Sequence, residues 1–230
     1  MVPENLTQKS FASYLEQDDS HTLYLGLNKA TSSVESFDLF QRMRLGIFFK
    51  SNKQLRAMMP WLLQQICQER QEEVVLIDAN GTLEPAKPKV SLYLDRSCLS
   101  EKVTALKGAL EALLTNETGK RIIIINGIAD LVDKLTLNPE EVTALLSGGN
   151  EHLQFVFLDH MTKVGNTFGG ITMFVKENID HILFGGSLQN QLFIENLSYQ
   201  EKNAIVAKNV LHSLKDEHLE ALVFPTEEEA

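Results

Sequence analysis

Side chains able to handle a phosphate, a proton or a metal collect at four places, each at the end of an apolar run. Lys50, Ser51, Asn52 and Lys53 follow LGIFF at 45–49; Asp78 and Asn80 close EVVLIDA at 73–79; Asn126 ends RIIIIN at 121–126; Asp159 and His160 follow LQFVFL at 153–158. The first place has the grammar of a phosphate-binding loop, an apolar strand and a few polar residues leading into a helix-period pattern. A working loop reads G-x-x-x-x-G-K-[ST], because its glycines let backbone N–H groups curl around phosphate and its lysine neutralises the charge. Here no glycine occurs between Gly46 and Gly81, and no Gly-Lys-Ser or Gly-Lys-Thr occurs anywhere. Phe49, Lys50, Ser51, Asn52 and Lys53 therefore stand where the cradle would be. Lys50 and Lys53 can still attract an anion; two solvated lysines in a surface loop are the plainer reading.

Hydrolysis of a phosphoanhydride also asks for an acid after the isoleucine strand, to hold magnesium and order the attacking water. Asn126-Gly127 stands there instead, and an amide carries no charge for the metal. Asp130 and Asp133 lie one or two helical turns further on, facing solvent. Asp159-His160 has an acid–base reading, since a carboxylate can orient an imidazole. No serine or cysteine is placed on a recognisable nucleophile elbow, and the pair otherwise simply begins a loop. The histidines show no H-x-x-x-H pairing, so no zinc site is expected. Gly185-Gly186-Ser187 reads as a turn or as a backbone nest for an anion, and GNTFGG at 165–170 as a flexible loop.

The elements that must hold these groups are legible from periodicity. Residues 6–16 form a short amphipathic helix broken by Asp18-Asp19-Ser20; 23–27 and 34–40 are extended; 45–49 is the strand before the altered loop. Leu55, Met58, Met59, Leu62, Leu63 and Ile66 share one helical face, with Asn52 able to cap it and Pro60 either kinking the helix or marking its first turn. Strands are expected at 73–79, 121–126, 153–158, 171–175 and 181–184. A helix carries Leu99, Val103, Leu106, Leu110 and Leu113; another starts at Asn138-Pro139-Glu140-Glu141 and stops at Gly148-Gly149. Residues 210–214 and 218–224 form a closing hairpin or a terminal helix. Strand and helix patterns alternating in this way imply an α/β fold, a doubly wound, mainly parallel sheet with helices on both faces and ligands beyond the carboxyl ends of the strands.

Composition narrows the function classes. The chain of 230 residues is 43% hydrophobic, enough for one large core. No apolar run is long enough to span a bilayer, and the N-terminus lacks the apolar segment of a signal peptide. Two cysteines, Cys67 and Cys98, fit a reduced compartment. A net charge of −10 with scattered lysines and arginines argues against a nucleic-acid groove.

Taken together, the strand entering a would-be phosphate loop, the apolar strand at the magnesium-acid position and VKENIDHILFGGSLQNQLF at 175–193 resemble the FtsK/SpoIIIE-type ATPase domains. The likeness runs from about residue 3 to 224 and is nearest to the C-terminal domain of the coupling ATPase of type VII secretion (EssC-like). The resemblance implies a RecA-like P-loop NTPase fold, with 1–40 as lead-in helix and strands, 41–226 as the ATPase-like domain and 227–230 as an acidic tail. Hydrolysing members have the glycine-lysine loop and acids after the second core strand; this chain departs at both, with Phe49–Arg56 across the loop and Asn126-Gly127 in place of the acids.

That family further implies a module excised from a longer, membrane-anchored bacterial protein, on its cytoplasmic side, beside neighbouring ATPase domains and in a possible hexameric ring. Its partners would be secreted helical-hairpin proteins of the WXG type. The leading expectation is a degenerate, non-hydrolysing module with no catalytic residue and no metal, docking an amphipathic helix in an apolar groove. Phe48, Phe49, Met58 and Trp61 stand near the altered loop and would line that groove if they are not core. Asp78, Asp159 and His160 would form the rim of the degenerate site. Other readings stay open: weak Mg-ATP binding through Lys50, Lys53 and backbone donors; completion of a neighbour's site in a ring, with a basic residue such as Arg42 or Arg44 as a finger; or an active FtsK-type translocase subunit.

Overall fold

The computed structural model describes residues 2–3, 5–15, 22–39, 44–68, 72–115, 119–146, 152–165, 170–189 and 191–226. In chain order the elements are α1 (Gln8–Ala12), β1 (Thr22–Asn28), β2 (Val34–Asp38), β3 (Arg44–Phe49), α2 (Asn52–Gln68), β4 (Glu73–Asp78), β5 (Leu92–Leu94), α3 (Val103–Leu114), β6 (Arg121–Asn126), α4 (Ile128–Leu135), α5 (Pro139–Leu146), β7 (Leu153–His160), α6 (Met161–Val164), α7 (Gly170–Asn178), β8 (His181–Gly185), α8 (Tyr199–Asn203), β9 (Val210–Lys215) and β10 (His218–Val223).

All ten strands belong to one sheet in the order β2-β1-β10-β9-β8-β3-β7-β6-β4-β5. From β8 to β5 every pairing is parallel, and from β8 through β9, β10 and β1 to β2 every pairing is antiparallel. The lead-in strands are thus a continuation of the main sheet through β1 and β10.

The parallel half explains why its strands read as unbroken apolar runs. Alternate residues point to opposite faces, and both faces are covered by helices. In β6, Ile123 and Ile125 join the core under α3 to α7, whereas Ile122 and Ile124 join the core under α2. In β7, Phe155 and Phe157 take the first face and Val156 and Leu158 the second. In β3, Phe48 lies on the first and Ile47 and Phe49 on the second. A smaller cluster of Leu6, Phe11 and Trp61 pins α1 to α2, with Phe11 edge-on to the indole at 5.4 Å.

Several expectations are corrected. Residues 171–175 are the middle of α7 rather than a strand: Thr172, Phe174 and Val175 are buried while Met173 is 47% exposed. A five-residue apolar run satisfies either period, and tertiary packing decides. Leu99 lies in a 3-10 turn (Arg96–Ser100), so the helix starts at Val103. Pro60 sits inside α2, which runs on from Asn52 to Gln68. The hairpin alternative at the C-terminus is the one adopted, as β9 and β10. Asp18-Asp19-Ser20, Phe40, Arg42, Gly148-Gly149, most of GNTFGG and the 227–230 tail lie outside the described residues. Among the described residues no helix is long and apolar enough to cross a membrane.

Candidate functional site

The four chemistry-bearing places do meet at one edge of the sheet, because β3, β4, β6 and β7 run parallel with their carboxyl ends in register. Phe48 stands opposite Asp159, Phe49 opposite His160, and Asp78 opposite Asn126.

The first place is shorter than its sequence suggests. β3 ends at Phe49 and α2 begins at Asn52, so Lys50 and Ser51 alone join strand to helix. Lys53 and Arg56 belong to the first turns of α2 and point to solvent. Phe49 is buried, and its ring lies against Gly185 so closely that a Cβ there would collide with it. The Lys50 N–H donates to Gly185 O at 3.0 Å, and its ammonium donates to Ser187 Oγ at 2.8 Å. Partial burial lowers the Lys50 pKa from its ordinary value. Lys50 is therefore docked on the turn after β8 and is not the freely solvated lysine expected. With its nitrogen toward Gly185 O and its oxygen toward Gly186 N, the Gln54 amide bridges the same turn at 3.3 and 3.0 Å. Asn52 Oδ1 meets His160 Nε2 at 2.9 Å, which spends its side chain on the next strand.

Asp78 and Asn126 are wholly buried. Asp78 accepts four hydrogen bonds: from Thr82 N at 3.2 Å, Leu83 N at 2.8 Å, Tyr93 Oη at 2.9 Å and Asn126 Nδ2 at 2.6 Å. Tyr93 holds its proton more tightly than a free phenol, first because its hydroxyl is withdrawn from water and then because it donates to Asp78. The carboxylate is thus a staple tying β4 to β5 and β6, facing the protein and not the rim. Asn126 also donates to Thr82 Oγ1 at 2.8 Å.

Asp159 is nearly buried as well. Its Oδ2 accepts from Ala129 N at 2.9 Å; its Oδ1 accepts from His160 N at 2.7 Å and Asn80 Nδ2 at 3.3 Å. Burial raises its pKa, and these three donors and Lys163 only partly offset that. Lys163 donates to Asn80 Oδ1 at 3.2 Å and to both Asp130 oxygens at 2.9 and 2.8 Å. Asp130, expected in solvent, is instead in an ion pair at the rim, while Asp133 is exposed. Among the described residues no group of three or more His, Cys, Asp or Glu is placed to hold a metal ion.

The raised pKa of Asp159 has a measurable consequence. An unfolded aspartate titrates at about 3.9, and the folded group titrates above that. Between the two values the native state holds the extra proton, so this contribution is full below the lower value and declines as pH rises through the window. Urea unfolding of wild type and Asp159→Asn across that range is expected to show the decline in wild type and its loss in the variant. Parallel curves for the two proteins would assign the effect elsewhere.

The residues that sequence reasoning missed are Tyr93, Thr82 and Lys163; Ser187, read as part of a turn or anion nest, is instead the partner of Lys50. Tyr93 sits on a three-residue strand, and Lys163 on a four-residue helix, each too short to show a period. Phe48, Met58 and Trp61 are buried, so they line no open groove, and Trp61 donates to Tyr24 O at 3.1 Å. Arg44 opens β3 at the opposite edge of the sheet, where its guanidinium donates to Asn178 O at 3.2 Å.

No family model matches the sequence, and no curated protein matches it. Solved structures do. EssC (ATPases 2 and 3) from Geobacillus thermodenitrificans superposes with a TM-score of 0.70 at 14% identity, over 99% of this chain and 46% of that one. EccC (ATPases 2 and 3) from Thermomonospora curvata, in complex with a signal sequence peptide, gives 0.69 at 15% identity, over 100% and 44%. The pCW3 conjugation coupling protein TcpA with ATPγS gives 0.65 at 13%, over 98% and 71%. This chain spans less than half the length of the EssC and EccC structures. The sheet order and these superpositions establish the RecA-like P-loop ATPase fold, in the form that the type VII secretion ATPases EssC and EccC share.

Proposed function

We propose that this chain is a non-hydrolysing, ATPase-like module of a type VII protein-secretion motor, which docks a helical segment of the secreted protein and regulates the coupling protein. The observation that carries the first half is the joint after β3. The phosphate-loop motif spans eight residues with glycines at its bends; the eight at Phe49–Arg56 hold no glycine, only Lys50 and Ser51 lie between strand and helix, Phe49 is packed on Gly185 and the Lys50 ammonium is already on Ser187. At the magnesium-acid position, the Asn126 amide is turned inward onto Asp78. These residues do not fit a magnesium-bound triphosphate, so no hydrolytic step is assigned to them.

The second half is supported by the likeness to an EccC structure that holds a signal sequence peptide and by a groove of about 330 Å³ between α3 and α5. Leu114, Leu137, Ala144 and Leu145 line it, with Lys107 and Glu141 at its sides. An amphipathic helix laid there would pack helix against helix, its apolar side chains between those of α3 and α5. In the cell the module would hang on the cytoplasmic side of a membrane anchor, beside further ATPase modules of the same polypeptide.

Calorimetric titration with Mg-ATP is expected to give no saturable heat; a saturable isotherm abolished by Lys50→Ala would favour the weak-nucleotide reading instead. Titration with a secreted helical-hairpin protein or its C-terminal tail is expected to saturate, and Ala144→Arg, an exposed change in the groove, to abolish it. Binding that survives Ala144→Arg would move the groove elsewhere. Absence of binding to any such protein would falsify substrate docking.

A further inference from the structure

The sequence contains two Asn-Gly pairs, Asn80-Gly81 and Asn126-Gly127, and the fold brings them together at the carboxyl edge of the sheet. In such a pair a side-chain amide is most open to attack by its own backbone, because the glycine nitrogen that follows carries no side chain to shield it. The structure treats the two pairs differently. Asn126 is wholly buried; its Nδ2 donates to Asp78 at 2.6 Å and to Thr82 at 2.8 Å, and the Gly127 N–H donates to Leu158 O at 2.8 Å. Amide and nitrogen are both locked there.

Asn80 is half-buried and stands in the turn that closes β4. Gly81 is exposed at φ +66°, and its N–H makes a longer bond, to Asp78 O at 3.1 Å. The Asn80 side chain is held by long contacts: its Nδ2 donates to Asp159 Oδ1 at 3.3 Å and to Asn126 Oδ1 at 3.4 Å, and its Oδ1 accepts from Lys163 Nζ at 3.2 Å. Lys163 is itself kept in place by both Asp130 oxygens, at 2.9 and 2.8 Å. A fixed cation on the amide oxygen draws electrons from Cγ and meets the negative charge that grows on Oδ1 when Cγ is attacked.

We propose that Asn80 is a self-modifying site, at which the Gly81 nitrogen attacks Asn80 Cγ while the Lys163 ammonium stabilises the oxyanion. Solvent base takes the Gly81 N–H proton as the N–Cγ bond forms. The Cγ–Nδ2 bond then breaks, and Nδ2 leaves as ammonia with a proton drawn from water. A second water opens the cyclic imide at either of its carbonyls, leaving aspartate or isoaspartate at position 80. The sum is amide plus water giving acid plus ammonia, with nothing oxidised or reduced. The product gains a negative charge and loses the Nδ2 bonds to Asp159 and Asn126. An edge that has an amide in place of the acid after β6 thereby acquires a carboxylate after β4, beside Lys163 and Asp130. This proposal stands on the Asn80-Gly81 turn and is independent of what the α3–α5 groove binds.

The 230-residue chain, incubated at mildly alkaline pH in heavy-oxygen water, is expected to yield a more acidic species on anion exchange. Digestion and fragmentation should place the change and the label at position 80, as a mixture of aspartate and isoaspartate, with Asn126 unchanged. The rate should rise with pH, because the Gly81 proton must leave. Lys163→Met should slow conversion at least about tenfold, as for loss of an oxyanion donor, with an unaltered circular dichroism spectrum. Lys163→Arg keeps the cation and should retain most of the rate. Gly81→Asp, a residue type that tolerates positive φ, should slow conversion by shielding the nitrogen. Conversion no faster at position 80 than at Asn126, labelled aspartate without isoaspartate, or a Lys163→Met protein that reacts as fast as wild type or faster would each overturn the assignment.

Discussion

Replacing Asp78 with alanine is expected to destabilise the chain by about 4 kcal/mol, or roughly 10 °C in melting temperature for a domain of this size. The carboxylate is wholly buried and accepts from two backbone N–H groups, a phenol and an amide. Truncation removes all four acceptor contacts and leaves the donors in a space too enclosed to hydrate freely; each buried unsatisfied donor costs about 1–3 kcal/mol. Asp78→Asn keeps one accepting oxygen and should fall between. Urea denaturation with an unchanged m-value is the appropriate measurement, and a loss below about 1 kcal/mol would mean that water replaces the carboxylate cheaply. The same experiment separates a staple from a rim residue: a solvent-facing acid at a nucleotide site would be nearly neutral to remove.

Gly127→Ala should cost about 3 kcal/mol for two separable reasons. Gly127 caps the start of α4 at φ +94°, a left-handed conformation that costs an L-residue about 1–2 kcal/mol. A Cβ there would also stand 2.9 Å from the backbone nitrogen and the amide carbon of Asn80. Asn80 must then move, and with it go its hydrogen bonds to Asn126 and Asp159. A second readout follows. Asn80 is one of the donors that hold the Asp159 pKa down against burial, so the pH window over which stability declines should extend upward in Gly127→Ala. A variant destabilised with an unaltered pH window would show that strain at φ, not the displaced amide, carries the whole cost.

The parallel half of the fold was written plainly in the residues. RIIIIN and LQFVFL are continuous because both faces of a central parallel strand are covered, and the strand ends they announce are where Asn126, Asp159 and His160 stand. What a period cannot convey is partnership between distant short pieces. Tyr93 reaches Asp78 from a three-residue edge strand, and Lys163 reaches Asp130 and Asn80 from a single helical turn. The expectation that Lys50 would be solvated and Asp130 would face water failed for this reason: each meets a partner brought in by the sheet, Ser187 and Lys163. At ITMFV the apolar spacing fits strand and helix equally, and packing of α7 against α5 settled it as a helix. The absence of the glycine loop was visible in the sequence; the two-residue joint was legible only in the reading that lets Asn52 cap the helix, since Pro60 as the first turn would leave Phe49–Arg56 across the loop.

The pairing of β1 with β10 has a temporal side. Asn28 and Glu220 touch at 2.7 Å although they are 192 residues apart in the chain. A ribosome adding 5–20 residues per second would need about 10–40 s between making the one and the other. Throughout that interval the early hairpin offers a bare edge to whatever else is nearby. Until β9 and β10 emerge to sit between β8 and β1, that edge stays open to misassociation.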